Sequence, residues 1–120
     1  MVWLLLLFPV FAQSNEIDLK PEWQRKQFLV VRESEENLPP LERINLLTSR
    51  ATQVCEYLKA PSGRYRSYRA TQIRTKRVSY AGQDVAVLEK RSGRFSVRGY
   101  RLPKQDRSEV LTAVRCRGNP

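Results

Sequence analysis

Arginine is the residue type best equipped to do chemistry in this chain, since sixteen of its twenty-two basic residues are arginine and six are lysine. A guanidinium is planar and permanently charged. It grips a carboxylate or phosphate through two parallel hydrogen bonds and also stacks on aromatic rings. The segments Arg64-Tyr65-Arg66-Ser67-Tyr68-Arg69 and Arg98-Gly99-Tyr100-Arg101 interleave such groups with rings, as a groove that tracks an anionic chain and stacks its bases requires. A half-exposed strand displays the same alternation, and a basic surface also serves solubility.

Other chemistry has little material to work with. The chain contains no histidine, which removes Ser-His and Cys-His nucleophile pairs and the commonest zinc ligand. Two cysteines cannot form a four-thiolate metal site, and no GxxxxGK[ST] or GxGxxG phosphate loop occurs. The carboxylates left for acid/base work in the basic half are Asp84, Glu89, Asp106 and Glu109. Their spacing brings no two of them to a common site, and pairing with the abundant arginines accounts for them. The expectation is a non-enzymatic protein without metal or cofactor; a histidine-free hydrolase is the weakest alternative.

The net charge of +10 is unevenly spread. Residues 13–60 carry seven Lys or Arg against eight Asp or Glu, and residues 61–120 carry fifteen against four, so the two halves stand at −1 and +11. The positive charge therefore belongs to whatever structure the second half builds.

That structure reads as strands. Beyond Gly63, runs rich in Val, Ile, Thr, Tyr and Phe are separated by Ala81-Gly82, Ser92-Gly93 and Pro103-Lys104-Gln105-Asp106, predicting four strands near 68–80, 84–90, 94–102 and 110–117. Joined in succession they form an antiparallel meander. Alternation puts Arg74, Lys76, Arg94, Arg98 and Arg115 on one exposed face, with Arg64, Arg66, Arg69, Arg91 and Arg117 near its margins. A bulge at Gly99 would return Tyr100 and Leu102 to the apolar side. Upstream, Leu41, Ile44, Leu47, Ala51, Val54, Cys55 and Leu58 recur at three- and four-residue steps, predicting an amphipathic helix from Leu41 to about Lys59. Asp18 could cap a short helix opening at Pro21, and Phe28 to Val31 could equally be a strand. Glu33 to Asn37, ahead of Pro39 and Pro40, reads as a loop.

Residues 2–11 are apolar and are followed by Ala12, predicting an export signal cleaved after Ala12 rather than a membrane span, for which the run is about half the necessary ~20 residues. An exported chain with two cysteines has one intramolecular pairing available, Cys55 to Cys116. Cys55 lies on the apolar stripe of the helix and Cys116 shares a strand face with Val110, Thr112 and Val114, so both sulfurs point into one core.

The expected organisation is a cleaved signal over residues 1–12, an N-terminal segment and acidic, proline-bearing loop over 13–40, and one disulfide-linked α+β domain over 41–120. The expected fold is one helix packed on one face of a four-stranded antiparallel meander, with a short N-terminal helix or strand. A helix across an antiparallel sheet resembles the cystatin-like architecture, although no glutamine-valine-x-valine-glycine segment is present. The expected function is that of a secreted or periplasmic binding protein using Arg64, Arg66, Arg69, Arg74, Lys76, Arg94, Arg98 and Arg115. Its partner would be an acidic protein surface, an anionic envelope polymer or a lipid head group, with nucleic acid ranked below these. The competing reading is a structural or inhibitory protein docking through Phe28 to Val31 or through a sheet edge.

Overall fold

The structure is a computed structural model and describes residues 16–59, 65–78, 82–103 and 107–119. The export signal, Arg64 and Asp106 lie outside the described residues. The chain is α+β, with one α-helix and a mixed seven-stranded sheet among the described residues. In chain order the elements are β1 (Glu16–Leu19), β2 (Glu22–Trp23), β3 (Lys26–Val31), a 3-10 turn (Glu33–Glu35), α1 (Pro40–Leu58), β4 (Ser67–Arg77), β5 (Asp84–Arg91), β6 (Arg94–Arg101) and β7 (Glu109–Asn119).

The four strands expected downstream of the helix all form, but they do not make a meander. Of these four, only β5 and β6 pair as sequence neighbours, through a two-residue turn. Ser92 and Gly93 both adopt positive φ there, the conformation whose twist suits a tight hairpin. β4 pairs antiparallel with β7 along its length. Between β7 and β5 the chain inserts β3, antiparallel to β7 and parallel to β5. The reason is hydrophobic: Phe28, Val30 and Val31 are almost fully buried, and a strand apolar on both faces belongs in the middle of a sheet rather than in a linker. Within Phe28 to Val31, the segment named as a docking alternative, only Leu29 keeps partial exposure. No helix opens at Pro21; β1 lies beside β7 from Glu16↔Arg117 to Leu19↔Val114, and Asp18 is a strand residue.

Helix α1 runs one residue longer at its start than expected, with Pro40 in its first turn and Lys59 closing it in the left-handed conformation, a common helix stop. It packs on β4, β3 and β7. Ala51, Val54 and Cys55 join Phe28, Val30, Val31, Ala70, Ala86, Leu111, Val114 and Cys116 in the main core. The disulfide Cys55–Cys116 forms, linking helix to sheet with Cα atoms 5.9 Å apart. Closing its loop is worth about 4 kcal/mol on chain-entropy grounds. Leu41 and Ile44, expected on the buried stripe, are 70% and 57% exposed. Arg43 in the same turn bonds Glu109, the first residue of β7, so the helix begins beside the end of that strand and its first turn overhangs the sheet.

A second core lies on the face of the sheet opposite the helix. Val78, Val85, Leu102 and Val110 are buried there with Leu29 packed against them. The pairing Val85↔Gln27 beside Ala86↔Phe28 sets this face against the helix side.

Candidate functional site

The arginines of β4 are placed by two bulges. Alternation along a strand would carry a residue type from face to face with an odd spacing. Between Ala70 and Gln72 the register slips by one residue on β4, and between Arg74 and Thr75 by one residue on β7. The slip around Thr71 lets Ala70 and Ile73, three apart, both pack into the helix-side core. The slip around Thr112 does the same for Leu111 and Val114. In consequence Arg69, Gln72, Arg74 and Lys76 all project from the back face, as do their β7 partners Arg117, Arg115, Ala113 and Val110. Each extra residue is held across the strands: Thr71 Oγ1 donates to the Arg115 carbonyl and Thr112 Oγ1 to the Arg74 carbonyl, both at 3.1 Å.

Three cross-strand rows result. Glu16, Arg117 and Arg69 stand side by side on β1, β7 and β4; Asp18, Arg115 and Gln72 form the next row; Ala113 and Arg74 follow. Arg115 spends its fork inside the molecule. It donates to both oxygens of Asp18, at 2.5 and 3.0 Å, and lies 3.6 Å from Glu16. The hydrogen bond from Arg115 holds the Asp18 carboxyl below its usual range against a smaller opposing effect of burial, and the charges of Arg115 and Arg74 add to the lowering. Among the described residues, Arg69, Lys76 and Arg117 have no carboxylate within ion-pairing distance. Arg69 directly opposes Arg117, a like-charge cross-strand pair that costs stability until an anion bridges it.

Arg94 and Arg98 also sit on the back face, but on β6, on the far side of β7, β3 and β5 from β4. Four strand spacings are about 19 Å, and the accumulated twist over them is roughly 90°, so the two basic wings do not form one flat patch. Arg98 donates through Nε to Glu89 at 3.0 Å, and Arg91 approaches the same carboxylate at 3.7 Å. Hydrogen bonding from Arg98 holds the Glu89 carboxyl below its ordinary value, outweighing desolvation, with help from the charges of Arg98, Arg91 and Arg32. Arg94 carries no ion pair among the described residues.

The expected bulge at Gly99 is absent: β5 and β6 pair without a slip from Asp84↔Arg101 to Arg91↔Arg94. Gly99 instead leaves room for the Lys26 side chain, which crosses it where a Cβ would stand. Tyr100 therefore stays on the back face, 41% exposed and 5.8 Å from the Arg98 guanidinium. The rings of the other interleaved segment face elsewhere. Tyr65 packs on Gly118 and meets Tyr68 edge-on at 5.9 Å, and Tyr68 packs against the helix-side core. Arg66 borders a hollow with Glu56, Lys59, Tyr65 and Phe95.

The residues named for acid/base work are separated. Glu89 is bound by arginines on β5 and β6, Glu109 bonds Arg43 of the helix, and Asp84 is exposed at the start of β5. What sequence reasoning missed is the acidic strand β1, which cancels Arg115, and the central position of β3, offered as a possible strand but not as the one that separates the wings. The alternation of Glu16, Ile17, Asp18 and Leu19 was the available signal for β1. No family model, no curated protein and no solved structure matches this chain. Among the described residues, no helix is long and apolar enough to cross a membrane.

Proposed function

We propose that this chain is an exported, non-enzymatic binding protein that holds an acidic partner on the back face of β4 and β7. The observation that carries the reading is the row structure of that face. Arg69, Arg74, Lys76 and Arg117 project together from the sheet face opposite α1, and two bulges keep them there. Arg69 to Lys76 spans roughly 20 Å at about 3.3 Å per residue. That length suits an extended run of carboxylates or an anionic polymer better than a single small anion. Arginine favours such a partner because each guanidinium can bond two oxygens at once.

The partner classes are an acidic protein surface or an anionic envelope polymer. Nucleic acid ranks below them, because Tyr65 and Tyr68 turn toward the helix side and leave the β4 cations without stacking rings. Export is supported by the Cys55–Cys116 disulfide, which persists outside the reducing cytosol.

Fluorescence anisotropy with labelled polyglutamate tests the reading. Between about 50 and about 300 mM salt, affinity is expected to fall at least about tenfold, because exposed charge contacts are screened over this range. Affinity that does not change with salt, or no binding at the low-salt end, overturns it.

A further inference from the structure

The geometry points to a second site, on the back face beside β6, for a small organic anion with an apolar body. A hollow of about 370 Å³ opens there, within the roughly 300 to 1,000 Å³ that small-ligand pockets occupy. Leu29, Val87 and Leu102 supply its apolar lining. They come from three strands or strand ends, and Leu29 and Leu102 continue the second core. Tyr100 adds an exposed ring, one of three large hydrophobic side chains open to solvent among the described residues.

The polar groups set the sign of the ligand. Arg32 and Arg98 both line the hollow. Arg98 is held in place on one side by Glu89 through Nε, and its guanidinium lies 5.8 Å from the Tyr100 ring. That anchoring uses one of its nitrogens and leaves the terminal pair without an ion-pair partner among the described residues, and a side chain already held lowers the ordering cost of binding. Glu33 also lines the hollow. Among the described lining residues the balance is two cations, Arg32 and Arg98, against Glu33, or 2 − 1 = +1. A single negative charge matches it. The chemical class is therefore a monocarboxylate carrying an aliphatic or aromatic body, and the site does not depend on the β4–β7 face.

Octanoate and its neutral counterpart octanamide are the probes, followed by amide chemical shifts of the labelled full chain. Octanoate is expected to saturate shifts clustered at Leu29, Val87, Arg98, Tyr100 and Leu102, and octanamide to bind at least about tenfold more weakly, the loss of one charge-assisted contact. Arg98→Gln, at an exposed position, should weaken octanoate by a similar factor, and Tyr100→Ala should weaken both probes. Arg74→Glu, on the other wing, should leave octanoate binding unchanged. Equal binding of the two probes, shifts scattered over the surface, or no saturation by about 10 mM, near the weak end of meaningful affinity, overturns the proposal.

Discussion

At the scale of single residues, whether an arginine is free matters more than how many there are. Arg115 and Arg74 both project from the back face, yet Arg115 is locked by Asp18 while Arg74 has no ion pair among the described residues. Asp18 acts as an internal competitor for any external anion. Because the Arg115 hydrogen bond keeps its carboxyl below the usual value of 3.8, it competes throughout the neutral and mildly acid range. Asp18→Asn is expected to tighten polyglutamate binding by about threefold to tenfold, since it releases one guanidinium fork and adds one unit of net charge. Unchanged affinity in that variant would remove Arg115 from the binding face. Residue identity was legible in the sequence; residue availability was not. The pairing of Arg115 with Asp18 spans 97 positions, and no local pattern announces a contact of that separation.

At the scale of elements, the 3-10 turn is fastened to the helix by one ion pair. Arg50 of α1 donates to both oxygens of Glu35, at 2.6 and 2.8 Å, and to the Val30 carbonyl at 3.0 Å. The Arg32 backbone N–H bonds Glu35 as well. Burial alone would raise the Glu35 carboxyl, but the Arg50 hydrogen bonds, the Arg32 N–H and the two guanidinium charges together lower it below its ordinary 4.5. A carboxylate lowered in the folded state contributes stability that is complete above its unfolded value and disappears as pH falls through the folded one. Glu35→Gln is therefore expected to cost about 1 to 2 kcal/mol near neutrality, with the deficit shrinking as pH drops through 4.5 and below. Thermal melts of both proteins across that range check it; a deficit that stays constant with pH would mean the fastening is not ionic. Element boundaries were largely legible, because α1, β5, β6 and β7 are framed by prolines, glycines and a change of period. β1 and β2 were less so: Glu16–Leu19 offers only the four-residue minimum of alternation, and the two-residue Glu22–Trp23 offers none.

At the scale of the whole molecule, the class was legible and the strand order was not. Helix plus strands, joined by a disulfide from Cys55 to Cys116, followed from spacing and from which faces were apolar. The order β4-β7-β3-β5-β6 depends on inserting a strand from the first half of the chain between two from the second. Local signals favour neighbours in sequence, whereas burying the two-sided apolar strand β3 rewards a distant pairing. That insertion divides the basic half into two wings and gives each its own surface. One wing offers a row of cations along β4 and β7, and the other a hollow floored by the second core. The most direct test of the account is polyglutamate binding at low salt by two folded charge-reversal variants, Arg69→Glu/Arg74→Glu/Lys76→Glu on β4 and Arg94→Glu/Arg98→Glu on β6. The account predicts that the β4 variant loses at least about a hundredfold in affinity while the β6 variant stays within about threefold of the wild type, allowing for its change in net charge. Equal losses in the two variants, or full binding by the β4 variant, would contradict it.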